Sequence, residues 1–129
     1  MNRKLCGRIA SVLLSLHGSF ELVGPLFVNS MPNSLISFGG LTGSTLEQNT
    51  SVIAMFGWLW GLARLIAAVG SWSLRKWGIL LGIILSTVTI IAAVMIIPAG
   101  VGDTFLALPA LMLLLYTWFG NEVKEVTGG

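Results

Sequence analysis

Charge is scarce in this chain. Only 9% of its 129 residues are charged, seven basic and five acidic, against roughly a quarter in a water-soluble domain. Too few polar side chains exist to coat a globule that faces water, which excludes a soluble enzyme domain, a disordered tail and a coiled coil. Cysteine occurs once, at Cys6, so no internal disulfide can form. Cys6 reads as a small apolar helix residue, with palmitoylation beside the N-terminal basic cluster as the alternative. Histidine also occurs once, at His17. No cluster of His and Cys can therefore hold a metal, and haem would need an axial ligand from elsewhere. The chain has no Gly-rich phosphate loop and no serine in a recognisable nucleophile context. No catalytic residue, metal site or cofactor is expected. The basic residues are scattered rather than gathered into a patch, which argues against nucleic acid as a partner.

What is abundant is apolar surface: 55% of the residues are hydrophobic, and the mean hydropathy is +0.91. A membrane-spanning helix needs about 20 mostly apolar residues, each adding ~1.5 Å against a hydrocarbon core of ~30 Å. Four stretches meet that length, at residues 9–28, 52–72, 77–97 and 104–119. Backbone in contact with lipid must satisfy its own hydrogen bonds, so these stretches are expected to be helices. The predicted fold is an all-α membrane protein, a single antiparallel bundle of four transmembrane helices over residues 1–129. A cleaved signal peptide at the N-terminus is the competing reading for the first stretch. His17 and Glu21 oppose it, because both interrupt the apolar run.

Orientation follows from the positions of Lys and Arg. Arg3, Lys4 and Arg8 precede the first stretch, Arg75 and Lys76 lie between the second and third, and Lys124 follows the fourth. The connections at residues 29–51 and 100–103 contain no basic residue. Both termini are therefore expected on the cytoplasmic side of a multi-pass protein of the cell or plasma membrane. The 29–51 connection is rich in Asn, Ser, Gly, Thr and Pro and reads as an extracytoplasmic loop. Its centre, Leu35 to Leu41, is apolar enough to lie on the membrane or dip into it.

Three ionisable residues fall well inside the apolar stretches: His17, Glu21 and Arg64. Each is costly in lipid and so should face a partner or a wet cavity. Counting ~1.5 Å per residue from the inner ends of their helices, His17 and Arg64 lie about 12 Å deep and Glu21 about 18 Å. His17 and Glu21 are spaced i,i+4 and share a helix face. Arg64 cannot realistically lose its proton, and Glu21 is the acid available to it within the spans. A Glu21–Arg64 pair with His17 beside it is the expected intramembrane polar cluster. It serves either as an inter-helix lock or as a proton or substrate site. Gly57 with Gly61, and Gly78 with Gly82, have the GxxxG spacing that lets helices pack closely. Pro25, after Gly24, is expected to kink the first helix and open a polar pocket beyond Glu21.

These features point to a small non-enzymatic polytopic membrane protein, an accessory or assembly subunit of a larger membrane complex. Its surroundings would be the lipid bilayer and its partners other membrane proteins or further copies of itself. One alternative is a proton-coupled small transporter or channel that acts as an oligomer through Glu21. Another is a membrane enzyme for a lipid-soluble substrate, built from His17 and Glu21. In plan, the chain resembles the small multidrug resistance transporters, short four-helix proteins with one membrane-embedded Glu in the first helix. The resemblance rests on the layout and on Glu21 alone. Arg64 departs from it, because a fixed cation beside Glu21 opposes the binding of cationic drugs that the resemblance implies.

Overall fold

A computed structural model describes residues 2–27, 43–95 and 101–120. Its regular structure is helical throughout: α1 (Arg3–Phe27), α2 (Gly43–Trp72), α3 (Lys76–Met95) and α4 (Val101–Phe119). All four are long and apolar enough to cross a membrane. Helix α1 packs mainly on α2 and α4, and α3 packs on the same two, so the four close into a ring.

Three boundaries differ from the expected ones, for a shared reason. Helix α1 begins at Arg3 rather than at residue 9, α2 at Gly43 rather than 52, and α4 at Val101 rather than 104. Hydropathy marks where a helix meets lipid, whereas backbone hydrogen bonding continues into polar flanks. Leu46, Glu47 and Gln48 have high helix propensity in the sequence. Residues 43–51 are therefore helical and not part of the expected loop. Its remainder, including Leu35 to Leu41, lies outside the described residues, as do residues 96–97 and Lys124. The third correction carries the most consequence. Asp103, expected in the connection before the fourth helix, sits in the first turn of α4, where the helix dipole favours an acid.

Leu14, Ile79, Leu85 and Leu114 are buried at the core, yet, unlike in a water-soluble bundle, many large apolar side chains also lie outside. The interior holds Ala10, Ala67, Ala68, Ala107 and Ala110 together with Ser11, Ser71, Ser86 and Thr117, while Phe20, Phe56, Val69, Phe105, Met112 and Phe119 face outward. Small residues inside let helix backbones approach, which is how helices pack where lipid is as apolar as a leucine.

The tightest approach is the α2–α3 turn. Arg75 N–H donates to the Gly70 carbonyl (2.9 Å) and Leu74 N–H to the Ser71 carbonyl (3.0 Å), the pairing of a Schellman helix end. Such an end needs a left-handed residue, and Leu74 supplies it at φ 54°. Glycine is the usual occupant because it has no Cβ penalty. Leucine is retained here with its side chain against Gly7 of α1, where an added Cβ would lie 2.6 Å from Leu74 Cδ2. Beyond the turn, a Cβ on Gly70 would lie 2.6 Å from Gly78 Cα, so α2 and α3 touch backbone to backbone.

The other paired glycines are placed as follows. Gly57 and Gly61 both lie against α1, near Pro25 and Gly18 respectively. Gly82 faces Leu114 of α4 and Leu14 of α1, so Gly78 and Gly82 meet different helices rather than one shared partner. At the end where α1 begins, Arg3 Nε donates to the Thr117 carbonyl in the last turn of α4, and the Arg8 guanidinium sits 5.5 Å from the centroid of the Trp72 ring.

Candidate functional site

Arg64 is 0% exposed and is the largest completely buried side chain among the described residues. Its entry into the bundle depends on two glycines. A Cβ at Gly18 would lie 2.8 Å from the Gly61 carbonyl and 3.1 Å from Arg64 Cβ. A Cβ at Gly61 would lie 2.7 Å from the Gly18 carbonyl. Gly18 follows His17 and Gly61 precedes Arg64 by one turn, so this crossing brings the polar residues of α1 and α2 together.

Each nitrogen of the guanidinium has a counterpart. Arg64 Nε lies 2.9 Å from Glu21 Oε2, an ion pair at contact distance without hydrogen-bond alignment. Nη1 donates to His17 Nδ1, and Nη2 donates to Thr89 Oγ1 of α3. The Thr89 hydroxyl donates in turn to its own helix, at the Leu85 carbonyl (2.9 Å). It also accepts from Trp60 Nε1 at 3.5 Å. Trp60 and Arg64 are i,i+4 on α2 and converge on the same hydroxyl. One cation thus ties together three helices.

The pairing with Arg64 sets the state of His17. A guanidinium has N–H donors and no acceptor, so Nδ1 must accept and the ring proton resides on Nε2. That nitrogen lies 3.8 Å from Glu21 Oε1 and 3.4 Å from Asp103 Oδ1 of α4. The cluster thereby reaches all four helices. It also grades outward in exposure, from His17 at 3% through the Glu21 side chain at 20% to that of Asp103 at 62%.

Helix α2 also supports the weakened turn of α1. Pro25 has no N–H to offer the Glu21 carbonyl, and α1 nonetheless continues to Phe27. Gly57 is the residue that faces this carbonyl, since a Cβ there would lie 3.3 Å from it. The next carbonyl, that of Leu22, accepts from Trp58 Nε1 at 3.2 Å.

The structure therefore brings His17, Glu21 and Arg64 into one cluster and adds residues that sequence reasoning did not place there. Thr89 bonds its own backbone and accepts from Arg64 as well. Asp103 was assigned to the connection, and its signal was faint: an acid just ahead of an apolar run, where a helix start favours one. Asp103 lies in the first turn of α4, about 21 Å along that helix from Thr117 at ~1.5 Å per residue. Among the described residues, no group of His, Cys, Asp and Glu is arranged to hold a metal ion. No protein-family model, curated protein or solved structure matches this chain.

Proposed function

We propose that this chain is a multi-pass membrane protein whose four helices cross the bilayer antiparallel, both termini cytoplasmic, and that it serves as a non-enzymatic accessory or assembly subunit of a larger membrane complex. The observation that carries this reading is the distribution of side chains. Large apolar residues cover the outside, while the most polar group, Arg64, is sealed inside with its donors committed to His17, Glu21 and Thr89. A cation held by His17 and Glu21 of α1 and by Thr89 of α3 fixes the register of those two helices against α2. Buried ionic groups that specify register are a well-attested use of such pairs.

The antiparallel arrangement is supported by contacts at one end. Gly7 near the start of α1 lies against Leu74 in the α2–α3 turn and Thr117 near the end of α4. That end carries Arg3, Lys4, Arg8, Arg75 and Lys76, the side expected to face the cytoplasm. Two measurements test the reading. Single cysteines at positions 2 and 75, in a Cys6→Ala background, should be labelled by an impermeant thiol reagent only from the cytoplasmic side. Purification in mild detergent should recover fixed, stoichiometric membrane-protein partners. Labelling from the opposite side, or a chain isolated alone or only with copies of itself, overturns the corresponding half of the proposal.

A further inference from the structure

Four cations stand at the end of the bundle where α1 begins: Lys4 and Arg8 on α1, Arg75 in the α2–α3 turn and Lys76 at the start of α3. All four are exposed, and none joins an ion pair among the described residues, where the pairs lie around His17 and Arg64. Helix C-termini attract cations, but the carbonyls that close the helices at this end already have donors. Gly70 and Ser71 accept from the Arg75 and Leu74 N–H groups, Tyr116 accepts from that of Gly120, and Thr117 accepts from Arg3 Nε. Positive charge is therefore left over.

These cations are also held and gathered. The Arg75 backbone is fixed on both sides, since its N–H reaches α2 and its carbonyl accepts from the N–H groups of Gly78 (3.1 Å) and Ile79 (3.2 Å) on α3. The Arg8 guanidinium lies over the Trp72 ring, and a stacked guanidinium keeps its in-plane N–H donors for an anion. Arg8 follows Gly7 and Arg75 follows Leu74, so the Gly7–Leu74 contact draws the two arginines to one place. Trp72 and Trp77, each about half exposed, flank the turn, as amphipathic rings do at the level of lipid headgroups.

We propose that Arg8, Arg75 and Lys76 form a binding site for the phosphate headgroup of an anionic phospholipid, whose acyl chains run along the outer faces of α2 and α3. Basic pockets between membrane helices on the cytoplasmic side suit such headgroups. Topology accounts for the side on which the cations stand, but it does not require them to converge without acids. A lipid is the occupant because the cations border outward apolar side chains, Val69 and Leu80 among them. The site rests on the chain lying in a bilayer, as proposed above, and not on its sidedness or its partners.

The full chain is reconstituted in phosphatidylcholine vesicles that carry, in both leaflets, a trace of phosphatidylglycerol or phosphatidylcholine spin-labelled on its acyl chain. Electron spin resonance then reads how much of each probe the protein holds. Phosphatidylglycerol should be preferred by about fivefold or more, the factor that corresponds to ~1 kcal/mol from one basic residue near the surface. The preference should weaken as sodium chloride is raised. It should fall severalfold in Arg8→Gln and approach parity in the double variant Arg75→Gln with Lys76→Gln. Inorganic phosphate should weaken it no more than sodium chloride of equal ionic strength does. A chain that does not enter the vesicles overturns the membrane reading and the site with it, whereas one that enters and holds both probes equally overturns the site alone. A preference indifferent to salt, or retained in both variants, also overturns it. Displacement by phosphate beyond the ionic-strength effect would assign the cations to a free anion instead. A preference that emerges only in Glu122→Gln with Glu125→Gln would assign them to the chain's own acids, against the proposal.

Discussion

Where α1 begins, Gly7 meets the Leu74 side chain, the Ser71 carbonyl and Thr117; farther along the same helix, His17 and Glu21 meet Arg64 and Asp103. The first region is held by shape. Its contacts are backbone and short side chains, and the neighbouring Gly70–Gly78 approach leaves no room for a Cβ. The second is held by direction and charge, through a guanidinium whose partners lie on different helices. Packing of small residues brings helices close but resists sliding weakly, whereas a directed ion pair is satisfied in one register only. The bundle uses both devices, at different levels along α1.

The sharpest way to break that comparison is to remove the cation. Arg64→Leu leaves Glu21 and Asp103 as adjacent anions without a counter-charge, and stripping one partner from a buried pair costs about 3–5 kcal/mol. Denaturation in detergent should show a loss of that size at neutral pH. The loss should shrink as pH falls, because protonated carboxylates no longer need the guanidinium. A double variant, Arg64→Leu with Glu21→Gln, should recover part of the loss at neutral pH. An Arg64→Leu deficit that is independent of pH would mean that lost packing, not stranded charge, sets the cost.

Gly78→Val probes the region held by shape. Its new side chain would meet the Gly70 backbone, which cannot swing aside as the tip of a long side chain could. Overpacking costs typically ~1–3 kcal/mol, and a backbone obstacle places this variant near the upper end. The same denaturation experiment should return a deficit that does not change between acid and neutral pH. If acidification relieves it, the two regions are not independent.

This division also explains what could be read from residue order. The helices and the Glu21–Arg64–His17 cluster were legible because the rules that mark them are one-dimensional. Apolar length marks a span, i,i+4 spacing marks a face, and a charge in hydrocarbon demands an opposite charge. Asp103 escaped because it stands at a boundary, where polarity is compatible with either a loop or the first turn of a helix. The Gly70–Gly78 contact escaped for a different reason. It joins two helices across a Schellman turn, and no spacing rule within one helix identifies it. The chain's GxxxG pairs drew attention to Gly78 with Gly82, yet these meet different neighbours.

Leu74→Gly is the smallest change and tests why a leucine closes the turn. Leucine in the left-handed region costs roughly 1–2 kcal/mol, which glycine would relieve. Glycine forfeits about 0.5–1 kcal/mol through the freedom it gives the unfolded chain. It also loses the side chain that lies against Gly7, an individually weak set of dispersion contacts that join the turn to α1. The terms nearly cancel, so the expected stability change is within about 1 kcal/mol of zero at any pH. The discriminating readout is therefore local. Hydrogen exchange at the amides of Leu74 and Arg75 should stay slow, because glycine preserves the Schellman bonds to Ser71 and Gly70, while exchange in the first turns of α1 should quicken. Unchanged exchange at α1 would show that Leu74 contributes nothing to holding that helix, and that Gly7 packs there for the sake of Ser71 and Thr117 alone.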